Sequence, residues 1–307
     1  MPQQFFEPSG TQFITVNHED SILKLVYLDQ SYLTSQLVQS ELDIERPLYL
    51  TAPYSQVMLL SLVWQNNPQR IYMAGLGGGR LPYVLRHYFP HAQIEVTEID
   101  PMIVRVAQQY FGIVLDDYLQ VAIADGRAYL EQQAPDTKYD LILIDVVLGT
   151  GYSPYRMATR EFYELCQSRL TEDGVVAVSL FHVEPFFAEK MHTLGQSFAQ
   201  VYLCKLANGN AIALATNSPK HNLASIQAQA QQIQANLCLS FPLAERAQAL
   251  VWWSGEDCHS AILRDDQPPP SYFDLLPHFN TLFSQVAPDL PCPCGSGVVY
   301  ADCHGKG

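Results

Sequence analysis

The stretch that decides the fold runs from residue 70 to residue 98 and reads RIYMAGLGGGRLPYVLRHYFPHAQIEVTE. It predicts a strand (RIYMA), a glycine turn from Gly75 to Gly79, a helix (LPYVLRHYF) and a second strand (QIEVTEI). Glycines between a strand and a helix let the backbone turn tightly and approach a ligand, with the helix N–H groups directed at it. A purely structural turn is the alternative for such a loop taken alone. The stretch therefore predicts the start of a parallel sheet with a candidate ligand site at its first turn.

The same strand–helix rhythm continues along the chain. Further strands are predicted at LQVAIA, YDLILID and GVVAVSL, with helices at PMIVRVAQQYF, GRAYLEQQ and TREFYELCQSRL. Strands rich in Val, Ile and Leu that alternate with helices form parallel sheets covered on both faces. A helix (EPFFAEKMHTLGQSF) precedes two strands, QVYLCKL and AIALAT, whose Asn-Gly connection predicts an antiparallel hairpin. We expect an α/β, Rossmann-like sheet of the class I methyltransferase type, ending in that hairpin.

The flanking regions differ in pattern. Residues 12–50 alternate short extended segments with turn residues and predict a small N-terminal β-meander, followed by a buried helix at YSQVMLLSLVWQ. Residues 221–251 are rich in Ala and Gln and predict helix, whereas DDQPPP (265–270) predicts a linker. We therefore divide the chain into a β-meander (1–50), a Rossmann-like domain with C-terminal helices (51–264), a Pro-rich linker and docking segment (265–287) and a C-terminal tail (288–307).

Composition excludes several classes of protein. The chain of 307 residues is 48% hydrophobic, so it can bury a core and is not disordered throughout. Its net charge of −14, with no basic cluster, disfavours nucleic-acid binding. The first residues, MPQQFFEPSG, do not resemble a signal peptide, and no apolar run approaches the length of a membrane span. We expect a cytoplasmic protein that acts on a small molecule.

An acidic residue ends each strand after the glycine turn. Glu98 closes the second strand, Asp125 with Gly126 the third, and Asp145 the fourth. Taken singly, each acid also fits a helix cap or a solvated residue. Together they fall at the carboxyl ends of parallel strands, where open α/β sheets bind ligands. Carboxylates for a ribose, an adenine amine and a nearby cation suit an adenosyl sulfonium better than a dinucleotide.

Several segments resemble the spermidine synthase superfamily, which comprises polyamine aminopropyltransferases and related methyltransferase-like proteins. They are GLGGGRLPYVLRHY, EVTEIDPMIVRVAQQYF, IADGRAYL, YDLILID and TREFYELCQSRLTEDGVVAVSL. The resemblance implies a homodimer that binds S-adenosylmethionine or its decarboxylated form. It implies that Glu98 binds the ribose hydroxyls, Asp125 the adenine amine, and that Asp145 lies by the sulfonium. The glycines Gly75, Gly77 and Gly79 would form the loop, and Gln39 would contact the ligand from the N-terminal strands.

Two positions depart from the aminopropyltransferase pattern. By the resemblance, Gly77 occupies the position of an Asp that holds the aminopropyl amine in those enzymes. Leu148 occupies the position of a second Asp that deprotonates the attacking amine. An amine with a pKa near 10 needs a carboxylate nearby, and neither residue offers one. We therefore expect a methyltransferase with an unidentified acceptor. The alternatives are an aminopropyltransferase with an altered mechanism and a non-catalytic nucleoside-binding paralogue.

The sequence is less informative about the acceptor site than about the adenosyl ligand. Residues 149–161, GTGYSPYRMATRE, lie where the family has a gating loop. The candidates for lining the acceptor site are Tyr54, Tyr152, Tyr155, Arg156 and His182. Each also fits ordinary loop or core packing. We assign no catalytic base from the sequence.

The C-terminal tail carries a metal-binding pattern. Cys292, Cys294, Cys303 and His304 have the spacing C-x-C, eight residues, then C-H. Three thiolates and an imidazole form a closed tetrahedral set for zinc. The stretch resembles the SEC-C motif, which in its family is a docking module and not a catalytic one. We expect a structural zinc knuckle that either binds a protein partner or caps the C-terminus.

Overall fold

The computed structural model describes residues 3–9, 12–29, 36–147, 153–184, 186–255, 260–268 and 299. A four-stranded antiparallel meander comes first, formed in sequence order by β1 (Gln3–Ser9), β2 (Gln12–Glu19), β3 (Ile22–Asp29) and β4 (Gln36–Asp43). The predicted meander is present and has one strand more than expected. That additional strand, β1, pairs with β2 at the edge of the sheet.

The main sheet has eight strands among the described residues. They are β5 (Arg70–Ala74), β6 (Gln93–Glu98), β7 (Leu119–Ile123), β8 (Tyr139–Ile144), β9 (Leu170–Phe181), β10 (Gln200–Lys205), β11 (Asn210–Thr216) and β12 (Val251–Trp252). Their order across the sheet is β12-β10-β11-β9-β8-β5-β6-β7. Strands β5 to β9 are parallel, whereas β11 is antiparallel to both of its neighbours, β9 and β10. The predicted Rossmann-like sheet with an antiparallel terminal hairpin is confirmed.

Helices cover both faces of this sheet. They are α1 (Pro53–Met58), α2 (Arg80–Tyr88), α3 (Pro101–Tyr110), α4 (Gly126–Gln132), α5 (Arg160–Ser168), α6 (Phe187–Ser197), α7 (Leu223–Asn236) and α8 (Leu243–Gln248). Alternate residues of β5 enter different apolar clusters. Ile71 and Met73 pack with α1, α2, α3, α7 and α8, while Tyr72 and Ala74 pack with α4, α5 and α6. Residues of β2 and β3 join the first cluster, so the meander shares a core with the main sheet.

Two helical predictions differ from the structure. The segment predicted as one helix at residues 54–65 forms α1 and then a 3-10 helix over Leu59–Val63. All five residues of the 3-10 part are buried, so the segment has no polar face to set a helical period. The region predicted as helical at 221–251 divides into α7 and α8, and its last residue begins β12. Among the described residues, no helix is both long and apolar enough to cross a membrane.

Candidate functional site

A cavity of about 750 Å³ lies at the carboxyl edge of the parallel strands. We call it the central pocket. It is bounded by the turn after β5, by the ends of β6 and β8, by the start of α4, by part of β4 and by residues 154, 156 and 157. All predicted ligand-binding residues except Gly79 line it: Gln39, Gly75, Gly77, Glu98, Asp125, Gly126 and Asp145. The topology thus brings together acids that are far apart in sequence.

The glycine turn bends over the floor of this pocket. Gly75, Gly77 and Gly79 all have positive φ, at +89°, +53° and +68°. A Cβ at Gly75 would collide with the carbonyl oxygen of Asp145, and one at Gly79 would collide with the Ile113 side chain. At Gly77 the nearest atom would be the Gln39 carbonyl oxygen at 3.9 Å, so space remains above that residue. Gly79 therefore supports the turn from behind, and Gly77 leaves room for a ligand.

Glu98 ties the turn to the end of β6. Its Oε2 accepts a hydrogen bond from Leu76 N (3.1 Å), and its Oε1 accepts one from Asp100 N (3.1 Å). Burial raises the pKa of Glu98, while these backbone N–H groups and that of Gly77 lower it in part. Each carboxylate oxygen has more than one lone pair, so a hydroxyl of a ligand can still donate to Glu98. The geometry fits the binding of a vicinal diol.

Asp125 has a structural task as well as a place in the pocket. It caps α4, since its Oδ1 accepts a hydrogen bond from Ala128 N at 2.8 Å. The cap uses one carboxylate oxygen and leaves the second for a ligand. Next to it, a Cβ at Gly126 would lie 2.9 Å from the Ala74 Cβ and 3.0 Å from the Tyr72 hydroxyl. Only glycine therefore lets α4 begin this close to β5.

The surroundings of Asp145 in the pocket shift its pKa strongly. Tyr54 donates its hydroxyl proton to Asp145 Oδ2 at 3.1 Å, and Ser179 also donates to this carboxylate. Burial raises the pKa of Asp145 to about 6, against the lowering effect of the two hydroxyl donors. Burial and the Asp145 charge raise the pKa of Tyr54 well above its usual value. An ionised Asp145 would be a strong partner for a cation in the pocket.

Apolar side chains also line the central pocket. Ile99, directly after Glu98, is 66% exposed, and Val38 of β4 is 45% exposed. Both line the pocket, together with Met73 and Leu76. A flat apolar group bound there would cover Ile99 and Val38. The pocket thus combines carboxylates that suit a ribose and a cation with apolar side chains that suit a ring.

The structure places the acceptor-side candidates in different surroundings. Tyr54 and Arg156 line the pocket. Tyr155 is buried and donates its hydroxyl to the carbonyl oxygen of Arg264 at 2.6 Å, so it packs in the loop. His182 contacts the β10–β11 turn through the Leu206 carbonyl oxygen, 3.1 Å from its Nε2. Tyr152 and Leu148 lie outside the described residues.

Ser179, Tyr27 and Arg80 are among the pocket residues that were not predicted. Ser179 lies near Asp145 because β9 runs beside β8, and Tyr27 of β3 also lines the pocket. Arg80, the first residue of α2, is buried, and its guanidinium donates to the carbonyl oxygens of Phe111 and Pro47. Burial lowers the pKa of Arg80 to about 10, and no acid pairs with it among the described residues. The arginine directly after the glycine turn was the signal that could have found it.

The predicted zinc ligands Cys292, Cys294, Cys303 and His304 lie outside the described residues. Within the part of the chain that the structure describes, no group of three or more His, Cys, Asp or Glu side chains could hold a metal ion. Two of the cysteines there, Cys166 and Cys204, are buried, and burial raises the pKa of both thiols. The metal prediction therefore depends on the tail.

Two curated proteins with different activities are similar to this chain. A polyamine aminopropyltransferase of Vibrio vulnificus is 29% identical over 188 residues, which are 60% of this chain and 62% of that protein. The eEF1A lysine and N-terminal methyltransferase of Mus musculus is 33% identical over 146 residues, 43% of this chain and 21% of that protein. The chain thus spans less than two thirds of the length of either relative.

A solved structure and two family models agree with this similarity. Human methyltransferase-like protein 13 in complex with SAH has a TM-score of 0.56 and 26% identity, covering 62% of this chain and 95% of that one. The SEC-C motif model matches residues 290–306. The model described as the spermine/spermidine synthase domain matches residues 53–233. Since that match covers more than half of the sequence, the chain belongs to the spermine/spermidine synthase domain family and carries a C-terminal SEC-C motif.

Proposed function

We propose that this chain is an S-adenosylmethionine-dependent methyltransferase. The observation that carries the proposal is the set of three carboxylates, Glu98, Asp125 and Asp145, around one pocket beside a glycine turn. In this proposal Glu98 binds the ribose diol, Asp125 binds the adenine amine, and Ile99 with Val38 covers the ring. When bound, S-adenosylmethionine supplies an electrophilic methyl group. Asp145 stabilises the sulfonium charge, and Tyr54 holds its carboxylate in position.

Two residues favour the native ligand over its decarboxylated form. The decarboxylated ligand carries a sulfonium and an ammonium, and no negative charge. Gly77 provides no carboxylate for that ammonium, and the cation Arg80 lines the same pocket without an acidic partner among the described residues. The native ligand carries in addition a carboxylate, which a buried guanidinium attracts. These charges support methyl transfer rather than aminopropyl transfer.

Aminopropyl transfer is the second candidate, because the match to the Vibrio vulnificus aminopropyltransferase covers more of this chain than the match to the mouse methyltransferase. The two reactions leave different products. Methyl transfer leaves S-adenosylhomocysteine, and aminopropyl transfer leaves 5′-methylthioadenosine. We would incubate the chain with either sulfonium, with putrescine or with a protein-free cell extract as acceptor source, and identify the product by mass spectrometry. Methylthioadenosine formation would contradict the proposal, and formation of neither product would favour the non-catalytic alternative.

Ligand binding is tested separately by calorimetry with S-adenosylhomocysteine. Asp125→Asn is the informative variant, because asparagine is as good a helix cap as aspartate. With Oδ1 in the cap, the asparagine Nδ2 would meet the adenine amine donor to donor. We expect affinity to fall about tenfold, as for the loss of one charge-assisted hydrogen bond, with an unchanged melting temperature. No heat with the wild-type chain and any adenosyl ligand would refute the adenosyl site.

We further propose that the tail binds one structural zinc ion through Cys292, Cys294, Cys303 and His304. The donor set fits, since three thiolates and an imidazole leave no open coordination position. Metal analysis of protein purified without added zinc should find about one ion per chain, and Cys294→Ser should lose it. Full zinc content in that variant would show that the ligand set is wrong. The homodimer implied by the family resemblance stays a prediction, which light scattering on the full chain tests.

A further inference from the structure

Residues 153–159, which we call the pocket loop, form the wall of the central pocket beyond Asp145. Pro154, Arg156 and Met157 line the pocket. Ser153 and Tyr155 are buried and contact other parts of the protein. The loop thus combines side chains that line the pocket with side chains that anchor it to the rest of the protein.

One anchor lies at the start of the pocket loop. Lys190 of α6 donates from Nζ to Ser153 Oγ at 2.8 Å and to Glu184 Oε2 at 2.8 Å. The side chains of Lys190 and Glu184 are 0% and 2% exposed. An ion pair so deeply buried is stable only in good geometry, because both charges have lost their hydration. Ser153 is therefore held from inside the main domain.

The second anchor lies at the end of the pocket loop and depends on Arg127 of α4. Its Nη1 donates to the carbonyl oxygen of Arg156 at 3.0 Å. The same guanidinium donates two hydrogen bonds to Asp265, from Nη1 to Oδ1 at 2.7 Å and from Nη2 to Oδ2 at 2.5 Å. Thr159 donates its hydroxyl to Asp265 Oδ1 at 2.7 Å. One carboxylate thus orients both Arg127 and Thr159, and Arg127 in turn holds the backbone of the pocket wall.

Asp265 belongs to residues 260–268, which we call the strap. The strap lies outside residues 53–233, which the family model matches. Leu263 in its middle is fully buried, accepts a hydrogen bond from Arg160 N (2.9 Å) and donates its own N–H to Thr193 Oγ1 (2.9 Å). The Arg264 carbonyl accepts the Tyr155 hydroxyl. The strap is therefore packed against the pocket loop, although its sequence predicts a linker from residue 265 onward.

We infer that Asp265 is a positioning residue for the central pocket, acting through Arg127 on the wall formed by Arg156 and Met157. The inference rests on the proposed function only in that the pocket is taken to bind the adenosyl ligand. Without Asp265, the buried Arg127 keeps one acidic partner, Glu131, whose side chain is 45% exposed. The guanidinium would then turn toward solvent and release the Arg156 carbonyl. The strap thereby becomes part of the binding site.

The test compares Asp265→Asn with Asp266→Asn in the full chain. Both variants remove one negative charge from neighbouring exposed positions, but only Asp265 bonds Arg127. We expect Asp265→Asn to speed hydrogen–deuterium exchange across residues 155–161 in the ligand-free chain. Its affinity for S-adenosylhomocysteine should fall about tenfold, as for residues coupled in one hydrogen-bond network. Asp266→Asn should match the wild type in both measurements, and Asp265→Glu should restore part of the affinity.

The two readouts separate this inference from the proposed function. If Asp265→Asn exchanges and binds like the wild type, Asp265 does not position the pocket loop and the inference is overturned. If the wild-type chain binds no adenosyl ligand, the proposed function fails, while exchange in the ligand-free chain still decides whether Asp265 holds the loop. The inference is also overturned if Asp265→Asn has a lower melting temperature and exchanges faster over the whole chain, since the effect would then be global.

Discussion

Replacing Asp145 by asparagine should stabilise the ligand-free chain at neutral pH while weakening ligand binding. Asp145 directly follows β8 and lines the central pocket, where its carboxylate accepts hydrogen bonds from Tyr54 and Ser179. Burial raises the pKa of Asp145 from 3.8 to about 6, so the folded chain binds this proton more tightly than the unfolded chain does. The ionised carboxylate therefore costs stability that an amide would not cost.

The size and the pH window of this effect follow from the two pKa values. A shift of about two units corresponds to about 3 kcal/mol, and water in the open pocket reduces it, so we expect Asp145→Asn to gain about 1–3 kcal/mol at pH 7.5. A carboxyl with a raised pKa contributes its full stability below pH 4. That contribution is lost as the pH rises through about 6. The advantage of the asparagine should therefore shrink between pH 7 and pH 5.

Urea unfolding of the wild type and of Asp145→Asn at pH 7.5 and pH 5.0 measures both quantities. Asp140→Asn is a matched control at the other end of β8, where the carboxylate accepts hydrogen bonds from Gln69 N (2.7 Å) and Arg70 N (3.0 Å). Since an amide oxygen accepts such hydrogen bonds less strongly than a carboxylate does, Asp140→Asn should be less stable than the wild type at pH 7.5. The reasoning is refuted if Asp145→Asn is also less stable at pH 7.5, or if its advantage is the same at both pH values.

Three further outcomes follow from the same contacts. Affinity for S-adenosylmethionine should fall by up to about tenfold per pH unit below pH 6, as Asp145 takes up its proton; calorimetry that shows no change between pH 7 and pH 5 would exclude Asp145 as the partner of the sulfonium. Backbone strain should cost about 1–3 kcal/mol in Gly75→Ala and in Gly77→Ala alike, because both glycines have positive φ. Gly75→Ala should lose further stability and ligand binding, because its Cβ would collide with the Asp145 carbonyl oxygen. Calorimetry and urea unfolding measure both, and equal losses in the two variants would show that crowding at Gly75 has no effect. Lys190→Met should lower the free energy of unfolding by about 3–5 kcal/mol, because it leaves Glu184 buried and unpaired. The double variant with Glu184→Leu should recover most of that loss. If the losses of the two single variants simply add in the double variant, the buried pair is not the cause.

The main sheet was predictable because its signals are local. Each parallel strand from β5 to β9 is an apolar run followed by a helix with its own period, and the Asn-Gly turn before β11 marks the hairpin. The strands that the sequence did not reveal, β1 and β12, lack such signals. β1 reads QQFFEPS, with polar residues at both ends, and β12 has only two residues. Each exists because a neighbouring strand offers it an edge, which is a property of the tertiary structure.

The meeting of the three acids in one pocket was predictable for the same reason as the sheet. Parallel strands end at one edge, so acids that close successive strands must meet there, as Glu98, Asp125 and Asp145 do. Asp125 also shows that the functional and the structural interpretations of one residue are compatible, since it caps α4 while it lines the pocket. The contacts of Asp265 were not predictable. Its partner Arg127 is 138 residues away in sequence, and a run of acid and proline predicts a linker wherever it occurs.

The two sides of the pocket have different origins, and this bears on what the chain transfers and to what. The turn and the acids belong to the sheet, whose geometry leaves little freedom, as the crowding at Gly75 shows. Another part of the lining consists of the pocket loop, which is held by side chains from α4, α6 and the strap. Such a wall can change its chemistry without disturbing the sheet, because its anchors are few and lie behind it. Under the proposed function, side-chain substitutions at Arg156 or Met157 that leave the Arg127 contact to the Arg156 carbonyl intact should therefore alter the choice of acceptor, whereas loss of that contact should also weaken binding of the adenosyl ligand. A screen for acceptors should accordingly use the full chain, in which the strap holds that wall in place.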